Sequence, residues 1–149
     1  MLIRVPVSSS SLNRLVRRRG SALIEYKGAE FWLAGVDDLT EGRPVLADAL
    51  DGLRENEPVV LLAHHPDFFY EAAAVDIDLT LSGHTHGGQV RLFGHAPIAH
   101  SRFGYLAGEY NEIESMLYVS RGAGLTLLPI RIGAPAEIPI VTLHTDEPD

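Results

Sequence analysis

Cysteine is absent from this 149-residue sequence. No disulfide and no thiolate metal site can therefore form. Long apolar runs are missing too: none approaches the roughly 18 residues that a membrane-spanning helix needs. The opening residues, MLIRVPVSSS, lack the apolar stretch of roughly 7–15 residues that marks a secretory signal. On this reading the chain is soluble and nothing in it directs it to a compartment. Basic residues are scarce, with 12 Lys and Arg against 20 Asp and Glu, for a net charge of −8. A nucleic-acid partner is not expected, because such binding needs a basic face. The one basic cluster, Arg17, Arg18 and Arg19, reads as cations at the end of a helix over residues 12–18, where the helix dipole favours them. Hydrophobic residues make up 46% and charged residues 21%, as in ordinary globular domains.

What is present is concentrated in residues 59–90, VVLLAHHPDFFYEAAAVDIDLTLSGHTHGGQV. Two short apolar runs, 59–63 and 79–81, each lead into histidine: His64-His65 after the first, His84-Thr85-His86 after the second. Runs this short, bounded by Gly and Pro, predict buried strands. The Ala-rich segment 68–75 predicts a helix, with Asp67 placed to cap it. Together they predict a βαβ unit with parallel strands and a right-handed crossover. Both histidine groups would then stand at the carboxyl ends of neighbouring strands, where open α/β sheets place their sites. Histidine is the commonest metal ligand near neutral pH, which makes His64, His84 and His86 candidate ligands.

Before this unit, residues 22–26 and 30–36 predict a β-hairpin turning at Lys27-Gly28. Its second strand ends in Asp37-Asp38, read as a turn whose carboxylates bond nearby N–H groups, with a metal or acid–base role as the alternative. Residues 43–55 predict an amphipathic helix with Val45, Leu46, Ala49, Leu50 and Leu53 on one face. After it come a loop with His95 and His100, read as solvated, and a hairpin of residues 105–110 and 116–120. A last strand is predicted over 138–143. Arg121 is open between facing a phosphate and making a salt bridge.

LLAHHPD followed by SGHTHGGQ resembles the last two motifs of the calcineurin-like metallophosphoesterases, closest to a bacterial branch that ends in GHTHGGQ. The segments FWLAGVDD, SRFGYLAGEY, LYVSRGAG and LPIRIGAPAEIPIVTL are also similar to this branch. The family's three earlier motifs, D-x-H, G-D-x-x-D and G-N-H-D/E, do not occur. The resemblance therefore implies that residues 1–149 are the C-terminal portion of one such domain. It implies an α/β fold, part of a four-layer αββα sandwich of mixed sheets. It also implies a metal-dependent phosphoric-ester hydrolase with two divalent ions, such as Mn, Fe or Zn, in the complete site. His64 and His84 would hold one ion and His86 the other. The substrate would be a phosphate ester, with lipid or envelope esters suggested by the branch.

The missing carboxylates and the missing third-motif histidine imply that this chain alone is inactive and binds metal weakly at most. A catalytically inactive remnant, or a module that pairs with a polypeptide bearing the other motifs, is the alternative. A cupin-like barrel, which also uses H-x-H, lacks its expected Glu in residues 87–93. With part of a two-sheet fold absent, one of the two central strands is expected near an unpaired edge, through which the chain would self-associate.

Overall fold

The structure is a computed structural model, and it describes residues 20–144 apart from 27, 55, 94, 98 and 99. The helix expected over residues 12–18 and the arginine cluster lie outside the described residues. Six strands form one mixed sheet in the order β1-β2-β3-β4-β6-β5. β1 (Gly20–Tyr26) and β2 (Ala29–Gly35) make the expected hairpin, with Tyr26 opposite Ala29. β2, β3 (Val59–Leu62), β4 (Leu79–Ser82) and β6 (Ser115–Val119) run parallel to one another. β5 (Gly108–Glu112) closes the far edge antiparallel to β6.

The central βαβ unit is as the sequence reads: β3, a 3-10 turn at Pro66–Phe68, α2 (Phe69–Ala73), then β4. Side chains across paired positions share a face, so Ala34, Leu61, Thr80 and Leu117 form one row across the sheet. All four are fully buried. Phe68, Phe69 and Ala72 cover this row, with Leu46, Leu50 and Leu53 packed against the same core. Burying a side chain of Leu or Phe size contributes about 1.5–3 kcal/mol, so this row and its cover form the main stabilising layer.

Four expectations are corrected. The helix over residues 43–55 is a single turn, α1 (Leu46–Ala49). No side chain caps it, and its apolar face docks without needing further turns, so isolated-helix cost ends it early. Residues 138–143 form no strand. Their alternation is strand-like, but among the described residues no strand pairs with them; residues 139–144 line a cavity with Leu79, Leu81, Met116 and Tyr118. The second hairpin turns more tightly than read, with only Ile113-Glu114 between β5 and β6. Finally, neither central strand lies at an edge, for β2 and β6 flank them. Apolar exposure is found instead on the face opposite the core, where Leu62 and Met116 are each 40% exposed.

Candidate metal centre

The parallel ladder runs on past the ends of β3 and β4. Ala63 N–H donates to Leu81 O at 3.2 Å, and Gly83 N–H donates to His64 O at 3.0 Å. This pairing carries His64 and His84 side by side off the sheet. Their ring centroids lie 5.3 Å apart, almost perpendicular at 89°. On the other side of β3, Val36 N–H donates to Leu62 O at 3.2 Å, and Asp38 follows two residues later. Ligand atoms of Asp38, His64 and His84 all lie within 4.8 Å of one another. Two imidazole nitrogens and one carboxylate oxygen are a donor set suited to Zn, Mn or Fe, each bonding at about 2.0–2.2 Å for Zn. The donor types and their mutual proximity fit such an ion.

Sequence reasoning offered His64 and His84 as candidate ligands and favoured a turn role for Asp38; the structure brings all three together. The carboxylate serves that role as well. Oδ1 accepts from Thr40 N–H at 2.8 Å, Thr40 hydroxyl at 2.5 Å and Glu41 N–H at 2.9 Å. All three donors converge on Oδ1, so the turn aims the group rather than consuming it. Burial raises the Asp38 pKa, but the bonds from Thr40 and Glu41 and the nearby His64 outweigh it, holding the group down to about 2. Asp38, three residues past β2, is brought beside His64 by the parallel pairing of β2 with β3, which no local pattern in the sequence shows.

The doublet His64-His65 divides its tasks. His65 is buried and caps the 3-10 turn, its Nδ1 accepting from Asp67 N–H at 3.2 Å. It therefore does the capping expected of Asp67. Asp67 instead accepts from Ser101 hydroxyl at 2.5 Å and Arg102 N–H at 2.7 Å, tying the later loop to the turn. The His65 ring lies against His84 with centroids 4.3 Å apart. Burial, then the neighbouring His65 and His64, push the His84 pKa below its ordinary value. A neutral imidazole is the form that binds metal.

His86 is held apart from this group. The turn that carries it, His86–Gly88, bends through positive φ at His84, His86, Gly87, Gly88 and Gln89. At Gly88 a Cβ would meet Ala96 Cβ at 2.5 Å, so only glycine lets the loops approach there. Nδ1 of His86 contacts an Arg131 nitrogen at 3.2 Å, and Nε2 contacts Thr126 Oγ1 at 2.8 Å. An arginine can only donate, so Nδ1 accepts and Nε2 carries the proton. Both ring nitrogens are thereby engaged. Arg131 also donates to the carbonyls of His86, Arg121, Gly122, Gly124 and Ala134. Arg121 pairs with Glu137, the salt bridge that was one of its two open readings. His100 joins the site's surroundings, with its ring 6.0 Å from His84, while His95 is exposed and bonds Phe93 O at 3.1 Å.

The metallophosphoesterase YkuE of Bacillus subtilis, itself uncharacterized, is 38% identical over 120 residues, covering 79% of this chain and 42% of that protein. A bovine transmembrane protein with a metallophosphoesterase domain is 40% identical over 132 residues, covering 80% of this chain and 29% of its own length. This chain belongs to the metallophosphoesterase family. A Helicobacter pylori metallophosphoesterase, also uncharacterized, is 37% identical over 102 residues, covering 67% of this chain and 27% of its own. The metallophosphoesterase chain described here thus spans less than half the length of these relatives. No family model matches it, and no solved structure does. Among the described residues, no helix is long and apolar enough to cross a membrane.

Proposed function

We propose that this chain supplies the histidine-bearing part of a metal-dependent phosphoric-ester hydrolase, and that Asp38, His64 and His84 hold one divalent ion. The observation that carries this reading is the convergence of those three side chains at the ends of adjacent strands. An ion held by Asp38, His64 and His84 would supply Lewis-acid chemistry, polarising a phosphoryl oxygen and lowering the pKa of a bound water. The chain's own residues orient and charge-balance that ion. His86 is assigned to a second ion in the complete domain, which requires its release from Thr126. The residues are the C-terminal portion of that domain, and its phosphate-ester turnover belongs to the whole. Alone, the chain binds one ion and turns over little.

The test is a titration with Co²⁺, read by visible absorption, and with Mn²⁺, read by electron paramagnetic resonance. One ion per chain is expected, with affinity falling at least about tenfold in Asp38→Asn and in His84→Ala, since even loss of an outer-shell partner of a ligand costs that much. Equal binding by both variants and the parent chain refutes the site. Turnover of bis(p-nitrophenyl) phosphate by the chain alone, abolished in His86→Ala, refutes the claim that it is catalytically incomplete.

A further inference from the structure

A cavity of about 510 Å³ opens beside the metal centre, and four imidazoles are among its lining: His64, His84, His86 and His100. No carboxylate lines it among the described residues, which leaves the space open to an anion. Three of the four imidazoles are already engaged. His64 and His84 share the donor group with Asp38. Three protein ligands leave an ion an open position, and the cavity shared by both histidines is the space beside it. His86 is occupied by Arg131 and Thr126. Thr126 is in turn held by Gln89, whose Nε2 donates to Thr126 O at 2.8 Å and to Leu128 O at 2.9 Å. His100 belongs to neither arrangement. Its ring stands edge-on to His84, with centroids 6.0 Å apart and planes at 86°.

An exposed loop histidine keeps such a place only if its loop is fixed, and this loop is tied at both ends. Asp67, in the turn that follows His64-His65, accepts from Ser101 hydroxyl at 2.5 Å and Arg102 N–H at 2.7 Å. Ser101 Oγ accepts from Tyr105 N–H at 2.9 Å, which closes the segment on itself. At the other end Thr85, buried between His84 and His86, donates its hydroxyl to Leu106 O at 2.6 Å. Residues 101–106 thus hang from the same two turns that carry the metal-site histidines. Binding residues are commonly placed in this way, on loops held by a rigid scaffold. His95 precedes His100 by five residues, yet it bonds Phe93 O and is no part of the cavity lining. Two histidines that read alike in sequence therefore stand in different places.

Resting on the hydrolase reading above, we propose that His100 contacts the phosphoryl group of the substrate through an imidazole N–H, and that Asp67 is the residue that positions it through Ser101 and Arg102. Imidazole offers at least one N–H donor whether neutral or charged, so the contact does not depend on its protonation.

The experiment titrates inorganic phosphate into the Co²⁺-loaded full chain and follows visible absorption. His100→Ala is expected to leave the Co²⁺ spectrum and affinity as in the parent, while phosphate affinity falls at least about tenfold, the scale of a lost hydrogen bond to a charged group. His100→Gln keeps an N–H donor and should recover part of the loss. Asp67→Ala should also weaken phosphate binding, but add nothing in the His100→Ala background, because the two residues act through one contact. His95→Ala should match the parent. His100 is exposed, so His100→Ala should melt with the parent. Equal phosphate binding by the parent and His100→Ala overturns the proposal and leaves the hydrolase reading standing. A changed Co²⁺ spectrum in His100→Ala also overturns it, by making His100 a metal ligand. An Asp67→Ala loss of the same size with and without His100 overturns the positioning role. If the parent binds Co²⁺ but no phosphate, the proposal and the hydrolase reading fall together while the metal site stands.

Discussion

Replacing Arg131 by methionine should loosen the whole C-terminal loop system. The Arg131 guanidinium makes seven contacts, to five carbonyl oxygens and to His86 Nδ1. A hydrogen bond from a charged donor contributes about 1.5–3 kcal/mol net, but five N–H groups share these acceptors, and water can reach the half-buried site. We therefore expect a loss of about 3 kcal/mol, well short of the sum of independent bonds. For a chain of this size that lowers the melting temperature by about 6–12 °C if unfolding is cooperative. Hydrogen exchange should accelerate at residues 121–134 before it does so in β3 and β4, since the loops lie outside the core. Arg131→Lys keeps the charge but replaces a planar fork by a compact head, and should recover about half of the loss. A drop of less than about 2 °C in Arg131→Met, on the scale just given, would mean that the loops hold themselves together without it.

Two further predictions concern the core and pH. Phe69→Ala empties a fully buried ring that packs edge-on against Tyr105, with centroids 5.8 Å apart; urea unfolding should show a loss of about 3–5 kcal/mol with an unchanged slope, and a loss under about 1.5 kcal/mol would contradict the packing. Because the His84 pKa is lowered on folding, the unfolded chain binds the extra proton first. Stability contributed by neutral His84 is therefore full above the ordinary pKa of about 6.5 and falls as pH drops from there through the folded value. Thermal melts of the metal-free chain should show this slope, and His84→Gln should flatten it; an identical slope in the variant would refute the assignment.

The sequence made β3, β4 and their histidines legible because both strands are buried on a parallel sheet and leave continuous apolar runs. It could not make Asp38 legible as a site residue. Its arrival beside His64 depends on β2 pairing in parallel with β3, which no local pattern encodes. The doublet His64-His65 posed a similar limit, for which imidazole faces the site is decided by the cap that His65 forms with Asp67. Residues 43–55 were misjudged in length because amphipathic periodicity records which face docks, not how many turns persist. Residues 138–143 show the converse, a strand-like alternation with no partner strand. Gln89 and Arg131 act through backbone carbonyls distant in sequence, and that leaves no trace in spacing.

The ladder that continues from β3 and β4 into the histidine turns acts as a ruler. Each pairing sets one strand spacing, about 4.7–4.9 Å, between the backbones that lead to Asp38, His64 and His84. The strand ends are thus positioned by backbone pairing rather than by an ion. Position and chemical taste are consequently separable in this protein. On the proposed reading, exchanging His64 or His84 for another donor would alter which ion is preferred, while the sheet keeps the seat where it was. A lineage built on such a ruler can change its metal with the supply around it and leave its fold untouched.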